Sequence, residues 1–136
     1  MVKIIHWTSP KNAKSIILDQ QIESRGTLVQ EGKSVSSSYR YSDECDDKVY
    51  FTTCTDLNCT QIGFVFNSDK IKAIKCTPEE EISNYYVIKQ VNLDLLEEVI
   101  YFELSPDEEL DSALELAKKV FCLVRKIFSQ YPNLLS

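Results

Sequence analysis

Ile4-Ile5-His6-Trp7-Thr8-Ser9-Pro10 is the stretch on which the reading of this chain turns. The apolar run that begins at Val2 reads as a buried strand through Trp7. Ser9 then fits a helix N-cap, and Pro10 fits the first helical position, where its fixed φ suits the helix and its missing N–H is not needed. Ala13, Ile16 and Ile17 continue as one apolar helical stripe to about Gln20. His6 is the only histidine of the chain. Thr8 lies two positions on, so an imidazole and a hydroxyl share one face at the end of an otherwise buried strand.

Working outward, residues Glu23 to Asp47 are polar, with Gly26, Gly32 and the serines Ser34, Ser36, Ser37 and Ser38. A loop of that length inside a compact domain is either functional or a solvated surface segment. Strands are then expected at Lys48–Thr53 and Ile62–Phe66, both rich in β-branched and aromatic residues, at Ile71–Cys76 on a weak alternation, and at Tyr85–Val91 and Val99–Leu104. Asn92 to Glu98 reads as a short helix capped by Asn92. The C-terminal helix carries the clearest local signal. Ser105 and Glu108 match a capping box, Pro106 suits the first turn, and Asp107, Glu108 and Glu109 complement the helix dipole. Leu110, Ala113, Leu114, Ala117, Phe121, Val124 and Phe128 recur at helical spacing. A second row, Leu116, Val120, Leu123 and Ile127, widens the stripe enough to be clamped on both sides, by the domain's own sheet or by a partner subunit.

Composition sets limits on function. At 136 residues the chain is expected to form one domain, with about two-thirds of its unfolded surface buried. Net charge is −6, from 21 acids against 15 bases, which gives no electrostatic footprint for a long nucleic-acid duplex or an anionic membrane. The N-terminal apolar run is too short for a signal peptide, and no segment reaches the length of a membrane span. The five cysteines, Cys45, Cys54, Cys59, Cys76 and Cys122, are odd in number and form no Cys-x-x-Cys pair. Free thiols in a reducing cytoplasm are the simplest reading, and one histidine with scattered thiols is a poor zinc set. With three glycines the chain has no Gly-x-Gly-x-x-Gly, phosphate-binding loop or Gly-x-Ser-x-Gly turn. A Cys–His pairing stays open, because sequence separation does not forbid contact in space.

The string His6-Trp7-Thr8-Ser9-Pro10, a helix ending near Ile17-Leu18, a variable loop and then Val49-Tyr50-Phe51-Thr52 resembles the ADP-ribosyltransferase-like superfamily. The likeness is to its diphtheria-toxin-type branch with a His-Tyr-Glu triad, which includes poly(ADP-ribose) polymerases, RNA 2′-phosphotransferases and small bacterial or phage transferases. It covers about the first hundred residues as an order of elements, on short motifs. It implies NAD as cofactor, bound in a split-sheet cleft. In such folds the histidine bonds the adenine-side ribose, and a neighbouring Thr or Ser helps hold the nicotinamide half. His6, Thr8 and Ser9 fall on those positions, Ser9 chiefly as the helix cap. The motif tyrosine stacks on the nicotinamide ring, which assigns Tyr50. An aromatic face buries a planar ring while its hydroxyl keeps one wet end. The serine-rich stretch with Arg40 is placed over the pyrophosphate.

The family's catalytic glutamate stands at the start of a late strand. Here that strand is Asn84-Tyr85-Tyr86-Val87-Ile88, and Asn84 occupies the expected place. Glu81 lies three residues upstream and is taken as the acid. Glu103 on the following strand is the alternative, and the third case is that no acid completes the site. A carboxylate ~4 Å from a developing cation is worth about 4 kcal/mol at an effective dielectric of about 20, against about 1 in water. Losing that difference slows chemistry roughly a hundredfold.

The expected architecture is a single α+β domain over 1–136. Two small, mostly antiparallel sheets meet at a cleft in a 1–104 core, and a C-terminal helix over 105–129 packs on it. The expected function is NAD-dependent mono-ADP-ribosyl transfer to an unknown protein or nucleic-acid acceptor. The alternative is a catalytically silent nucleotide- or protein-binding module on the same fold. A third expectation is an interaction or inhibitor protein that works through the wide C-terminal helix, as a stable dimer or with an exposed hydrophobic face.

Overall fold

The computed structural model describes residues 2–24, 47–53, 62–75, 85–102, 107–121 and 123–127. Strand β1 (Lys3–Thr8) is followed at once by helix α1 (Pro10–Asp19), as the sequence requires. The Ser9 Oγ accepts from the Asn12 N–H at 3.3 Å, and Pro10 occupies the first turn. α1 ends at Gln20, whose φ of 59° is left-handed. That reversal starts β2 (Gln21–Glu23), a strand too short for its periodicity to be read in the sequence. The remaining strands are β3 (Lys48–Phe51), β4 (Ile62–Asn67), β5 (Ile74–Lys75), β6 (Tyr85–Ile88), β7 (Gln90–Asn92), β8 (Leu96–Tyr101) and β9 (Val124–Lys126). Helix α2 (Glu108–Val120) lies between β8 and β9.

These strands make the protein α+β. One sheet has the order β1-β4-β8-β9, a second β3-β6-β5, and β2 pairs with β7. All pairs are antiparallel except β8 with β9, which are parallel and joined through α2 as a βαβ unit. Among the described residues the four-stranded and three-stranded sheets are joined by one isolated bridge, Ile5 to Thr52. β4 is buried along its whole length, because both faces of its sheet carry apolar clusters. The larger cluster joins Ile4, Phe64, Phe66 and Val99 to Ala13 and Ile17 of α1, to Leu110, Ala113, Leu114 and Ala117 of α2, and to Val49 and Phe51 of β3. The smaller one holds Ile5, Trp7, Val65, Ile100, Phe102 and Ile127 on the opposite face. Gly63 faces the smaller cluster, standing between Trp7 of β1 and Ile100 of β8 in the register. A Cβ there would lie 2.6 Å from Ile5 Cγ2 and 3.1 Å from Trp7 Cε3, so only glycine lets these side chains close over β4.

Four expectations are corrected. Tyr85–Val91 is not one strand: Lys89, at φ 72°, breaks it into β6 and β7, which pair with different partners. Asn92 does cap a helical turn, its Oδ1 accepting from the Asp94 N–H at 2.9 Å, but the turn is 3-10 and spans only Leu93–Leu95. Leu96 to Glu98 instead join β8, where pairing with the fully buried β4 outweighs a weak local helical pattern. Of Ile71–Cys76 only Ile74–Lys75 is extended within the described residues. Asn67 Oδ1 accepts from the N–H groups of Asp69 and Lys70, turning the chain, and the reversal runs on through Lys72 at φ 54°.

The fourth correction concerns the C-terminal helix. Its cap is Asp107, whose carboxylate accepts from the N–H groups of Glu109 and Leu110; the expected capping residue Ser105 lies outside the described residues. The helix stops at Val120, and Phe121 turns extended. Val124 to Lys126 then pair with Val99 to Tyr101, so each of the two apolar rows was two elements read as one, and Phe128 at the end of the first row lies outside the described residues. Ile127 belongs to the smaller cluster, while Val120 and Leu123 stay exposed.

Candidate functional site

His6 and Thr8 point from β1 to the same side as Ile4, that of the larger cluster, as their spacing demands. Thr8 is buried and His6 partly so. The imidazole edge meets the Phe51 ring at 5.8 Å between centroids, and Phe51 in turn packs on Phe66 at 5.6 Å. An apolar wall therefore fixes the histidine on one side.

Its polar contact explains why the sheets part here. Ile5 and Thr52 exchange both backbone hydrogen bonds, at 2.8 and 2.9 Å. An antiparallel ladder would next pair Trp7 with Tyr50. The pairing is instead a single bridge, and the Tyr50 carbonyl lies 2.9 Å from His6 Nδ1. A carbonyl only accepts, so Nδ1 carries the proton and donates. The neutral ring then presents Nε2 as a lone-pair acceptor. Burial pushes the His6 pKa below its ordinary 6.5, with the bond to the Tyr50 carbonyl opposing the shift. At neutral pH the imidazole is uncharged, and it stands as a wedge between the two sheets.

His6 and Tyr50 are thus brought together, but through the tyrosine backbone. Val49 and Phe51 enter the core, so Lys48 and Tyr50 take the opposite face of β3. On that face Tyr50 stands directly across from Tyr86, and the Lys48 ammonium lies 4.5 Å from the centre of the Tyr86 ring. Tyr86 and Lys48 were not singled out by the sequence. The alternation of Tyr85 and Tyr86 along a strand could have found the first, since one of two adjacent tyrosines must face away from the core. Ser9 is engaged in the α1 cap. Arg40, Glu81, Asn84 and Glu103 lie outside the described residues.

No family model matches the chain, and no curated protein matches its sequence. Function must be argued from the side chains themselves.

Among the described residues no group of three His, Cys, Asp or Glu side chains could hold a metal ion, and no helix is long and apolar enough to cross a membrane. A groove of about 390 Å³ opens at the other end of the four-stranded sheet from Thr8, beside the Val65–Phe66 bulge. Leu93, Leu96, Phe121 and Leu123 line it with Asp94 and Glu97, and its third carboxylate, Glu98, is held by Arg125 at 2.8 Å. It shares no residue with the His6 site.

Proposed function

We propose that the chain is a NAD-dependent mono-ADP-ribosyltransferase of the ADP-ribosyltransferase-like type, working at the junction of the two sheets. The observation that carries this reading is the His6 Nδ1 bond to the Tyr50 carbonyl at the point where strand pairing stops. It joins the two residues that the family resemblance singled out across 44 positions of sequence. It also leaves Nε2 as an acceptor, which suits a ribose hydroxyl that donates. Desolvation keeps that ring neutral, so the acceptor persists at pH 7.

Bound NAD would supply a ribosyl–nicotinamide bond whose cleavage releases neutral nicotinamide and leaves an oxocarbenium-like ribose for the acceptor nucleophile. Tyr50 offers an aromatic face for the nicotinamide ring, and Thr8 a hydroxyl beside His6. Arg40 over the pyrophosphate and Glu81 as the acid that stabilises the developing cation complete the proposal. The carboxylate is the part to test.

The experiment is NAD calorimetry together with chromatographic detection of released nicotinamide, for wild type, Tyr50→Ala and Glu81→Gln. Tyr50→Ala is expected to weaken NAD binding about tenfold, near 1.4 kcal/mol. Glu81→Gln is expected to retain binding and slow release roughly a hundredfold. Binding without release in the wild type would favour the silent module. No NAD binding by the wild type would end the reading.

A further inference from the structure

We propose that His6 is an acid-operated latch: protonation of its ring frees the three-stranded sheet from the edge of β1 while the four-stranded sheet stays folded. What this opening does to a bound nucleotide rests on the transferase reading above; the opening itself does not.

The register places the latch. Ile5 and Thr52 exchange the two backbone bonds that join the sheets, and His6 is the next residue of β1. Its Nδ1 reaches across the same gap to the Tyr50 carbonyl at 2.9 Å. Its ring edge rests on Phe51, whose side chain is buried in the core that β3 shares with β1 and β4. One side chain therefore holds two consecutive residues of β3, directly beside the bridge. Parting β3 from β1 breaks the Nδ1 bond, takes Phe51 off the ring and hands the imidazole to water.

The closed form has no partner for a second proton. The Tyr50 carbonyl already takes the Nδ1 hydrogen, so an added proton goes to Nε2, which has no hydrogen-bond partner among the described residues. Counter-charge is missing as well. β4, on the other edge of β1, carries no titratable residue. On β3 the titratable groups are Lys48 and Tyr50, which take the face turned from the core, and Lys3 of β1 alternates to the side opposite His6. Helix α1 starts with the cations Lys11 and Lys14, and its one acid, Asp19, is at its far end. The charged residues of α2 are all exposed. None of these groups forms an ion pair with the ring. Burial therefore holds the His6 pKa below its ordinary value in the closed form, the bond to the Tyr50 carbonyl opposing the shift. In the opened form the ring is hydrated and titrates near 6.5. The opened form binds more protons, so each unit of pH below about 6.5 favours it roughly tenfold until the closed form is protonated too.

The test is amide hydrogen exchange of the full chain without NAD, read by NMR between about pH 7.5 and about pH 5.5 and corrected for the intrinsic pH dependence of exchange. The Ile5 and Thr52 amides report the junction, and those of β4 report global unfolding. The junction amides are expected to open more readily than β4 throughout, with opening constants that rise about tenfold toward the lower pH. His6→Asn, which keeps a side-chain N–H for the Tyr50 carbonyl, is expected to hold those constants level. Should that variant fail to fold, the wild-type profile decides. A one-proton slope that begins near pH 6.5 belongs to the only imidazole, because carboxylates titrate about two units lower. Junction amides that open only together with β4, an opening that ignores pH over this range, or the same slope in His6→Asn would overturn the inference. NAD calorimetry at about pH 7.5 keeps the two readings apart. An acid-driven opening without NAD binding would remove the transferase reading and keep the latch. NAD binding with a junction indifferent to pH would do the reverse.

Discussion

His6 shows how much a single side chain can decide at the junction of two sheets. Its place on β1, and its sharing of a face with Thr8, follow from strand periodicity and were legible in the sequence. Its partner was not, because the partner is a backbone carbonyl and every residue has one. The tautomer, and hence the acceptor at Nε2, depends on that carbonyl alone. The shift has a consequence for stability. The folded state holds His6 below 6.5, whereas the unfolded chain titrates near 6.5. Between those values the unfolded state binds more protons, so stability is full above about pH 6.5 and declines as pH falls toward the lowered value. Because His6 is the only histidine, one imidazole Cε1–H signal in a proton NMR titration reports it without assignment. The midpoint is expected below 6.5. His6→Asn is expected to flatten urea-measured stability between about pH 5 and 7. A midpoint at or above 6.5 would mean that the ring is not desolvated, and the neutral-acceptor role would lose its basis.

At the scale of elements, the sequence was readable wherever one long periodic pattern met its own caps. β1, α1 with its Ser9 cap, and β4 belong to this class. It was misread where elements are three residues long or where two patterns abut. Gln21–Glu23 and Gln90–Asn92 are too short to show a period, and they exist because each pairs the other. Val124–Lys126 continued the helical spacing of α2 closely enough to be counted with it. The exposed edge of β8 claimed it instead, with the Val99 N–H donating to the Leu123 carbonyl at 2.9 Å. The start of α2 gives a clean test of where the helix begins. Asp107 accepts from Glu109 and Leu110 at 2.9 and 3.2 Å, so Asp107→Ala removes the bonds to two backbone donors. A loss of about 1 kcal/mol is expected in urea unfolding, with the m-value unchanged and most of the stability kept by Asp107→Asn. Equal stability of the alanine variant would place the effective cap upstream.

For the whole molecule the decisive fact is that, among the described residues, two sheets share one apolar core and a single backbone bridge. The three-stranded sheet is docked on the edge of β1 at Thr52. A string of letters carries strand content but not which strand edges meet, so the bridge could not be located beforehand. The two sheets also differ in how they are held. β4 lies between β1 and β8 with every residue buried, and both of its faces pack on apolar clusters. β6 packs on the core through one face only, and its neighbour β5 is an exposed two-residue edge. Opening the smaller sheet exposes less apolar surface than opening the larger, so it is expected to open at lower free energy. Hydrogen exchange read by NMR should show the β4 and β8 amides exchanging only through global unfolding, while those of β3 and β6 exchange through a cheaper local opening. A ligand seated across the junction holds the sheets together, because it binds the closed form and not the opened one. Under the proposed transferase reading, saturating NAD is therefore expected to slow the Ile5 and Thr52 amides and those of β3, with little effect on the amides of β4. Uniform protection across both sheets would mean that they unfold as one unit. Slowing confined to the Leu93–Glu97 groove would move the binding site away from His6.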